Sequence, residues 1–237
     1  MRKLVIGVGL VFFLNYTISF SKNNSKSYAK LLDRIEMAKD LLNYMMNSPD
    51  KAIPQDLIKK CHAIIFLKQY KGGFILGAKG GNGIILAKDL KTGEWSPPAF
   101  VASVEGSFGF QVGAQVIEAI LLIMNKEGLD FLLKSKLKVG VDVSVAAGPV
   151  GRDVSAKVTP GAGILVYARS KGIFGGVSIE GGTIVSDDKA NEKYYGIKGI
   201  KIRDILLRKK VEVTPEAKEL IDLLKKYETM KIEKNQE

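Results

Sequence analysis

Cys61 and His62 are the residues of this chain whose types suit nucleophilic or metal chemistry. They are the single cysteine and the single histidine among 237 residues. Because they are neighbours at the start of a predicted strand, their side chains point to opposite faces and cannot form a catalytic dyad. A zinc site of the usual kind needs three or four such ligands. We therefore predict no catalytic residue, no metal and no cofactor, and we expect Cys61 to be a small buried apolar residue.

Two glycine-rich segments also lack the patterns of known reaction sites. Lys79–Gly83 does not have the order G-x-x-x-x-G-K-[ST] of a phosphate-binding loop, and Gly106–Gly109 is not a nucleophile elbow. Asparagine and glycine both accept positive φ, so we predict that Asn82 and Gly83 form a hairpin turn.

Lysine and arginine are the residues that most suggest a function. The chain has 36 of them against 25 acidic residues, and its formal net charge is +11. Such an excess favours anionic partners, namely phospholipid headgroups, lipopolysaccharide phosphates or nucleic acid. Gathered at one rim of a sheet, each cation contributes about 1 kcal/mol to attraction by an anionic membrane. The candidate cations flank the predicted hairpins and are Lys68, Lys71, Lys79, Lys88, Arg152, Lys157, Arg169 and Lys171.

Arg152 stands out among these cations because it follows a Gly-Pro corner. Its planar guanidinium suits a bidentate contact with a phosphate, or equally with a carboxylate such as that of Asp142 or Asp153. The alternative for the whole set is that these cations are scattered and solvated.

Residues 1–21 have the pattern of a secretory signal peptide. A basic start precedes the apolar run Leu4–Leu14, and a small-x-small cleavage site ends at Ser21. An apolar run of about eleven residues is shorter than the roughly twenty that span a bilayer. We therefore expect cleavage, a polar linker over residues 22–28 and a secreted, periplasmic protein that rarely meets nucleic acid. The alternative is an uncleaved anchor.

Periodicity predicts a helical layer and a sheet. An apolar stripe from Ser27 to Met46 indicates a helix, which either packs on the core or lies in a membrane interface. Pro54 favours a short helix up to Lys60, and Pro215 favours a C-terminal helix capped by Thr214. We expect the Trp95-Ser96-Pro97-Pro98 segment to be a structural corner. The predicted strands cover 63–67, 73–79, 83–88, 99–104, 138–147, 153–159, 162–169 and 175–185, with a short helix at 127–133. Residues 111–124 are predicted to form a long strand, and the alternative is that the run 117–124 is helical.

The valines at 139, 141, 143 and 145 alternate with smaller or polar residues, which predicts that they share one buried strand face. Glycines recur inside the predicted strands and permit bulges and bends. Together these patterns predict an α+β fold with a strongly curved, mostly antiparallel sheet, either barrel-like or a sandwich, and packed N- and C-terminal helices.

The order of the glycine- and proline-containing tags resembles the SYLF family, also called Ysc84 or DUF500. After an N-terminal helix, the tags are Ile53–Leu57, Lys71–Gly83, Gly93–Phe100, Gly106–Gly113, Ala146–Arg152 and Tyr194–Gly196. The resemblance implies a lipid-binding, membrane-associated domain over residues 29–200, followed by a helical extension over 201–237. It also implies association with actin-patch proteins in eukaryotic members, and no catalytic residues.

We therefore predict that the chain binds anionic phospholipids at a membrane surface without catalysis and without binding nucleic acid. The alternative is an envelope structural or adaptor protein whose basic surface holds an acidic protein or glycan.

Overall fold

A computed structural model describes residues 5–47, 52–134, 136–149, 161–172 and 182–230, and gives only the backbone for 5–24, 71–79, 105–115 and 170–172. The helices in these residues are α1 (Val5–Met46), α2 (Gln55–Lys60), α3 (Lys126–Lys134), α4 (Asp188–Tyr195), α5 (Ile202–Leu206) and α6 (Pro215–Thr229). The strands are β1 (Ala63–Ala87), β2 (Ala99–Ile123), β3 (Lys136–Lys138), β4 (Val145–Ala147), β5 (Ile164–Gly172) and β6 (Thr183–Ser186).

The centre of the sheet is a long antiparallel ribbon of β1 and β2. Pairing runs from Ala63 opposite Ile123 to Ile85 opposite Ala99, with a register shift between Phe74 and Leu76. The long strand predicted over 111–124 is therefore confirmed up to residue 123, and the helical alternative for 117–124 is wrong.

The ribbon is folded back so that the two halves of β1 lie side by side. The amide of Lys88 donates to the carbonyl of His62 over 2.9 Å. A Cβ at Gly83 would overlap the carbonyl oxygen of Phe66, and one at Gly81 would lie 2.5 Å from the carbonyl oxygen of Lys68. Such approaches leave room only for glycine.

The hairpin turn predicted at Asn82 and Gly83 is therefore wrong. Both residues lie inside β1, opposite Ala102 and Val101 of β2. The contacts that join the two halves of β1 are centred near the register shift at Phe74, so the strand reverses there. Glycine at 83 serves close packing of backbones, which has the same sequence signature as a turn.

The sheet forms a half-barrel of eight strand segments within the described residues. In order across the sheet these segments are β3, β6, β2 (99–108), β1 (76–87), β1 (63–74), β2 (112–123), β5 and β4. All the pairs that join different strands are antiparallel except β4 with β5. The predicted α+β fold with a strongly curved sheet is confirmed.

Helices bury both faces of the sheet. Ile64 and Phe66 of β1 face a core built with α1, α2, α4 and α6, and Ile65 and Leu67 face a second core built with α3 and α5. The prediction of a helix that packs its apolar stripe on the core is confirmed by six buried residues, Leu31, Ile35, Ala38, Leu41, Leu42 and Met45. The predicted short helices near 55–60 and 127–133 are also confirmed.

α1 begins before the segment that the sequence identifies as a linker. The helix is continuous through residues 22–28, because no proline or glycine interrupts the chain from residue 10 to residue 46. The domain boundaries drawn from the sequence stay a prediction. Within the described residues, none of the helices combines the length and the apolar character needed to cross a bilayer.

The predicted strand over 138–147 is interrupted by a turn. Gly140 has a φ of 83° and its amide donates to Val143, so β3 ends at residue 138 and β4 begins only at residue 145. Val139 and Val143 are buried as expected, but Val141 is 72 % exposed. The predicted shared face is therefore wrong at Val141, because a strand face cannot continue through a residue with positive φ. The predicted strand at 153–159 and most of that at 175–185 lie outside the described residues.

Two anchors tie the outer helices to the sheet. The amide group of Asn191 in α4 pairs with both the N–H and the C=O of Phe100, as a neighbouring strand would. The indole of Trp95 and the ammonium of Lys88 each donate to Glu228 of α6 over 2.8 Å. The Thr214 cap of α6 is confirmed, and so is the structural role of Trp95, which is buried.

The folded ribbon makes a prediction about two glycines of one strand. Gly83→Ala should lower the free energy of unfolding by about 3 kcal/mol, because the added Cβ overlaps backbone that cannot move aside. Gly80→Ala is the matched control: its Cβ would have 3.9 Å to the nearest atom, so stability should stay within about 1 kcal/mol. Urea unfolding of both variants measures this, and equal losses would contradict the close approach.

Candidate functional site

Of the cations that the sequence singled out, three have described side chains, and two of these three, Lys68 and Arg169, lie together. Arg152 and Lys157 lie outside the described residues. Lys71, Lys79 and Lys171 are described by backbone alone; the first two lie on β1 and the third on β5. Lys68, Lys88 and Arg169 have described side chains, and each of them is held by a carboxylate of this chain.

Lys68 and Arg169 come together around one buried carboxylate. Glu118, whose side chain is 6 % exposed, accepts from Arg169 at 2.6 Å and pairs with Lys68 at 3.2 Å. The guanidinium also lies 4.5 Å from the ring centre of Tyr44 on α1. Burial works to raise the pKa of Glu118, but the hydrogen bond and charge of Arg169, with those of Lys68, hold it below its ordinary value. This cluster joins β1, β2 and β5 beneath α1.

Lys88 is not part of any surface patch. Its side chain is 5 % exposed, it donates to Glu228 and to the carbonyl of Lys59, and it lies 5.3 Å from the ring centre of Trp95. Sequence reasoning placed it at the end of a hairpin, which is correct, but could not show that the C-terminal helix supplies its partner.

A basic surface that the sequence analysis missed lies on the opposite layer, around α5. We call it the α5 basic surface and define it by Lys91, Lys134, Lys201, Arg203, Arg208 and Lys209. A signal for it was present, since residues 198–210 hold six cations and one carboxylate. The run alone does not predict a surface, because α4 and α5 are too short to show clear periodicity.

Two cavities flank α5, and Arg203 lines both of them. The β6 cavity, of about 470 Å³, lies between the end of α3, β6 and α5, and its cations are Lys134, Lys201, Arg203 and Arg208. The hairpin cavity, of about 450 Å³, lies between the 89–94 loop, α3 and α5. Both volumes fall in the range of small-ligand sites.

The hairpin cavity combines exposed leucines with unpaired cations. Leu90 and Leu207, which line it, are 47 % and 46 % exposed. Two of its carboxylates are paired elsewhere, Glu94 with Lys225 and Asp130 with Lys126. Asp89 accepts from the amides of the turn, and these bonds, together with the nearby charge of Lys209, hold its pKa below its ordinary value. Among the described residues, Lys91, Arg203 and Lys209 make no ion pair.

Lys209 holds a backbone conformation that favours glycine. Its φ is 47°, the one positive value at a residue other than glycine in the described part of the chain. This left-handed residue follows the end of α5, which is capped by Leu207, and the amide of Lys210 next to it donates to the backbone carbonyl of Asp204. A lysine here costs about 1 kcal/mol relative to glycine, and such strain concentrates at functional positions.

The described side chains offer little for nucleophilic or metal chemistry. Burial raises the pKa of the Cys61 thiol to about 12, so it is not a thiolate at neutral pH. The searched residues contain no group of three or more histidine, cysteine or acidic side chains that could hold a metal ion. The arrangement suits binding of an anionic surface by cations next to apolar side chains.

Comparison with known proteins gives one family. A sequence profile described as "Ysc84: Las17-binding protein actin regulator" matches residues 104–227. No solved structure matches the chain.

The similar proteins are longer than this chain. "SH3 domain-containing YSC84-like protein 1" of Xenopus laevis is 32 % identical over 87 % of this chain and 60 % of its own length. The Rattus norvegicus protein of the same name is 33 % identical over 77 % and 55 %, respectively. "LAS seventeen-binding protein 3" of Saccharomyces cerevisiae is 31 % identical over 74 % and 38 %. The chain thus spans about half the length of the curated relatives it matches.

The Glu118 cluster makes a prediction about stability and pH. Glu118→Gln leaves Lys68 and Arg169 without their counter-charge and should cost about 2 kcal/mol at pH 7. Because the folded-state pKa of Glu118 is lowered, its contribution is complete above the unfolded value of about 4.3 and is lost as the pH falls through the folded value. The difference from the unmutated protein in urea unfolding should therefore shrink towards pH 3.

The matched control is Asp222→Asn, which breaks an ion pair whose side chains are 57 % and 68 % exposed. It should change stability by less than about 0.5 kcal/mol. A Glu118→Gln loss that is the same at pH 7 and pH 3, or no larger than that of the control, would refute the role assigned to the carboxylate.

Proposed function

The chain belongs to the Ysc84 family, and on that premise we propose that it binds anionic membrane surfaces without catalysis, through the α5 basic surface. The observation that carries the proposal is the hairpin cavity, which is lined both by the unpaired Lys91, Arg203 and Lys209 and by the half-exposed Leu90 and Leu207. Apolar side chains ringed by cations are the combination that peripheral membrane contact requires.

Two forces act together in this proposal. Leu90 and Leu207 enter the boundary between headgroups and acyl chains, and each removes apolar area from water. Lys91 and Lys209 remain at the phosphate level, where each cation contributes about 1 kcal/mol. The strained backbone of Lys209 is consistent with a position kept for binding rather than for stability.

The cations first singled out from the sequence take a smaller part. Lys68 and Arg169 share the carboxylate of Glu118, and Lys88 pairs with Glu228, so an added phosphate would have to compete with a buried carboxylate. Lys71, Lys79 and Lys171, together with Arg152 and Lys157, stay a prediction for a second contact with lipid.

Export is part of the proposal. The basic start, short apolar run and small-x-small site support cleavage after Ser21 and a periplasmic location. The mass of the protein isolated from its own cells tests this: a retained Met1 or Arg2 on soluble cytoplasmic protein would contradict export.

A protein partner is the second candidate function. The family description names Las17 binding and actin regulation, and the yeast relative is itself named for binding LAS seventeen. An acidic protein segment would meet the same cations. If the cations bind a protein partner, association of the chain with vesicles should not depend on lipid composition. The experiment below separates the two candidates in this way.

Lys209 makes the sharpest prediction for membrane binding. In co-sedimentation with phosphatidylcholine vesicles that contain phosphatidylglycerol, Lys209→Gly should weaken partitioning about fivefold, since one cation at the surface is lost. Its unfolding free energy should not fall, because glycine relieves the positive φ. Leu207→Ser should also weaken partitioning, through lost apolar contact.

The matched control is Lys30→Gln, which removes one exposed cation from α1 in the other helical layer. It should leave partitioning almost unchanged. Salt at about 0.5 M should weaken the binding of every variant to the vesicles. If Lys30→Gln and Lys209→Gly weaken binding equally, net charge rather than the α5 basic surface carries it. If the unmutated protein ignores anionic vesicles at low salt, the membrane proposal fails and the protein-partner candidate replaces it.

A further inference from the structure

The β6 cavity is a separate site from the apolar-rimmed hairpin cavity, and we propose that it binds a phosphate monoester, either free or as a lipid headgroup. The proposal goes beyond surface attraction because it assigns a defined cavity to a defined chemical group. It rests on the charges that line this cavity and requires no contact with a membrane.

The carboxylates of the β6 cavity are already neutralised. Asp188 accepts from the Ser186 hydroxyl at 2.6 Å and pairs with Lys201 at 2.9 Å. Although partial burial works in the other direction, the hydroxyl and the ammonium hold the pKa of Asp188 below its ordinary value. It therefore remains an anion with its own partners and does not neutralise the remaining cations of the cavity.

Asp204 is neutralised in the same way. It pairs with Arg208 at 3.0 Å and with Lys210 at 3.1 Å, and both contacts hold its pKa below its ordinary value. Each acidic residue of the cavity thus has at least one dedicated cation.

Two cations of the cavity remain without an ion pair in the described residues, Lys134 at the end of α3 and Arg203 on α5. Asp130 lies outside the cavity; its charge reaches both Lys134 and Arg203, but its own ion pair is with Lys126. Lys134 and Arg203 therefore leave about two positive charges for a ligand.

A phosphate monoester matches these two unpaired cations in charge and in shape. It carries close to two negative charges at neutral pH and three acceptor oxygens, whereas a diester carries one charge and two free oxygens. A guanidinium binds two such oxygens in a fork, and an ammonium serves as a point charge for the third. The volume of about 470 Å³ exceeds what a bare phosphate needs, and Leu132, Val185 and Ile202 line it for an organic substituent.

The test uses soluble and lipid forms of the same group. Calorimetric titration of the full chain with sn-glycerol 3-phosphate should show saturable binding at millimolar concentration, and dimethyl phosphate, a diester, should bind less. Lys134 lines only this one of the two cavities, so Lys134→Gln should weaken binding of glycerol phosphate about tenfold. Arg203→Lys, which keeps the charge and loses the fork, should weaken it by a comparable factor.

Leu207→Ser and Lys30→Gln are the controls, and both should bind glycerol phosphate like the unmutated protein. Binding to vesicles that contain either phosphatidic acid or phosphatidylglycerol, at equal surface charge, then shows whether the bound phosphate ester is a lipid headgroup or a free compound. A preference for phosphatidic acid that Lys134→Gln abolishes assigns the site to a lipid headgroup. Saturable binding of glycerol phosphate without that preference assigns it to a free phosphate ester.

Absence of saturable binding to glycerol phosphate, or binding that Lys134→Gln leaves intact, would overturn the proposal. Either result is separate from failure of the membrane proposal, because vesicle binding that depends on Leu207 and Lys209 can persist without this site. Conversely, a protein that ignores vesicles can still bind the soluble ester.

Discussion

The close approach between the two halves of β1 is the constraint on which the rest of the structure depends. Gly83 lies so near the carbonyl of Phe66 that no side chain fits between the segments. This contact lets one long ribbon occupy four neighbouring positions in the sheet. The outer halves of the ribbon then pair with β5 on one side and β6 on the other, which closes the sheet into a half-barrel.

The same folding explains where the proposed membrane-binding surface lies. Helices cover both faces of the sheet, with α1, α2, α4 and α6 on one face and α3 and α5 on the other. Both described cavities lie in the layer that contains α5. The His62–Lys88 contact brings the start of β1 next to the 89–94 loop, which supplies Lys91 and Leu90 to the hairpin cavity. On the opposite face of the sheet, the buried carboxylates Glu118 and Glu228 pair with lysines of the same chain.

Local patterns in the sequence predicted the parts of the fold that depend on neighbours in the chain. The apolar stripe of α1, the Thr214 cap and the role of Trp95 could all be read in this way. The position of the β1 reversal could not, because glycine at a close approach and glycine in a turn look alike in sequence. Nor could the partners of Lys68 and Lys88, since Glu118 and Glu228 are distant in the chain. The α5 basic surface was visible as a charge run, but only the fold shows which of its cations lack a carboxylate.

In the proposed function, the α5 layer faces the membrane and the α1 layer does not. Cys61, the single cysteine, is buried with a raised pKa, so an introduced cysteine can be labelled selectively. An environment-sensitive fluorophore on Leu207→Cys should shift to shorter wavelength when anionic vesicles are added, because that position leaves water. The same label on Lys30→Cys should not shift. A shift at residue 30 with none at residue 207 would contradict the claim.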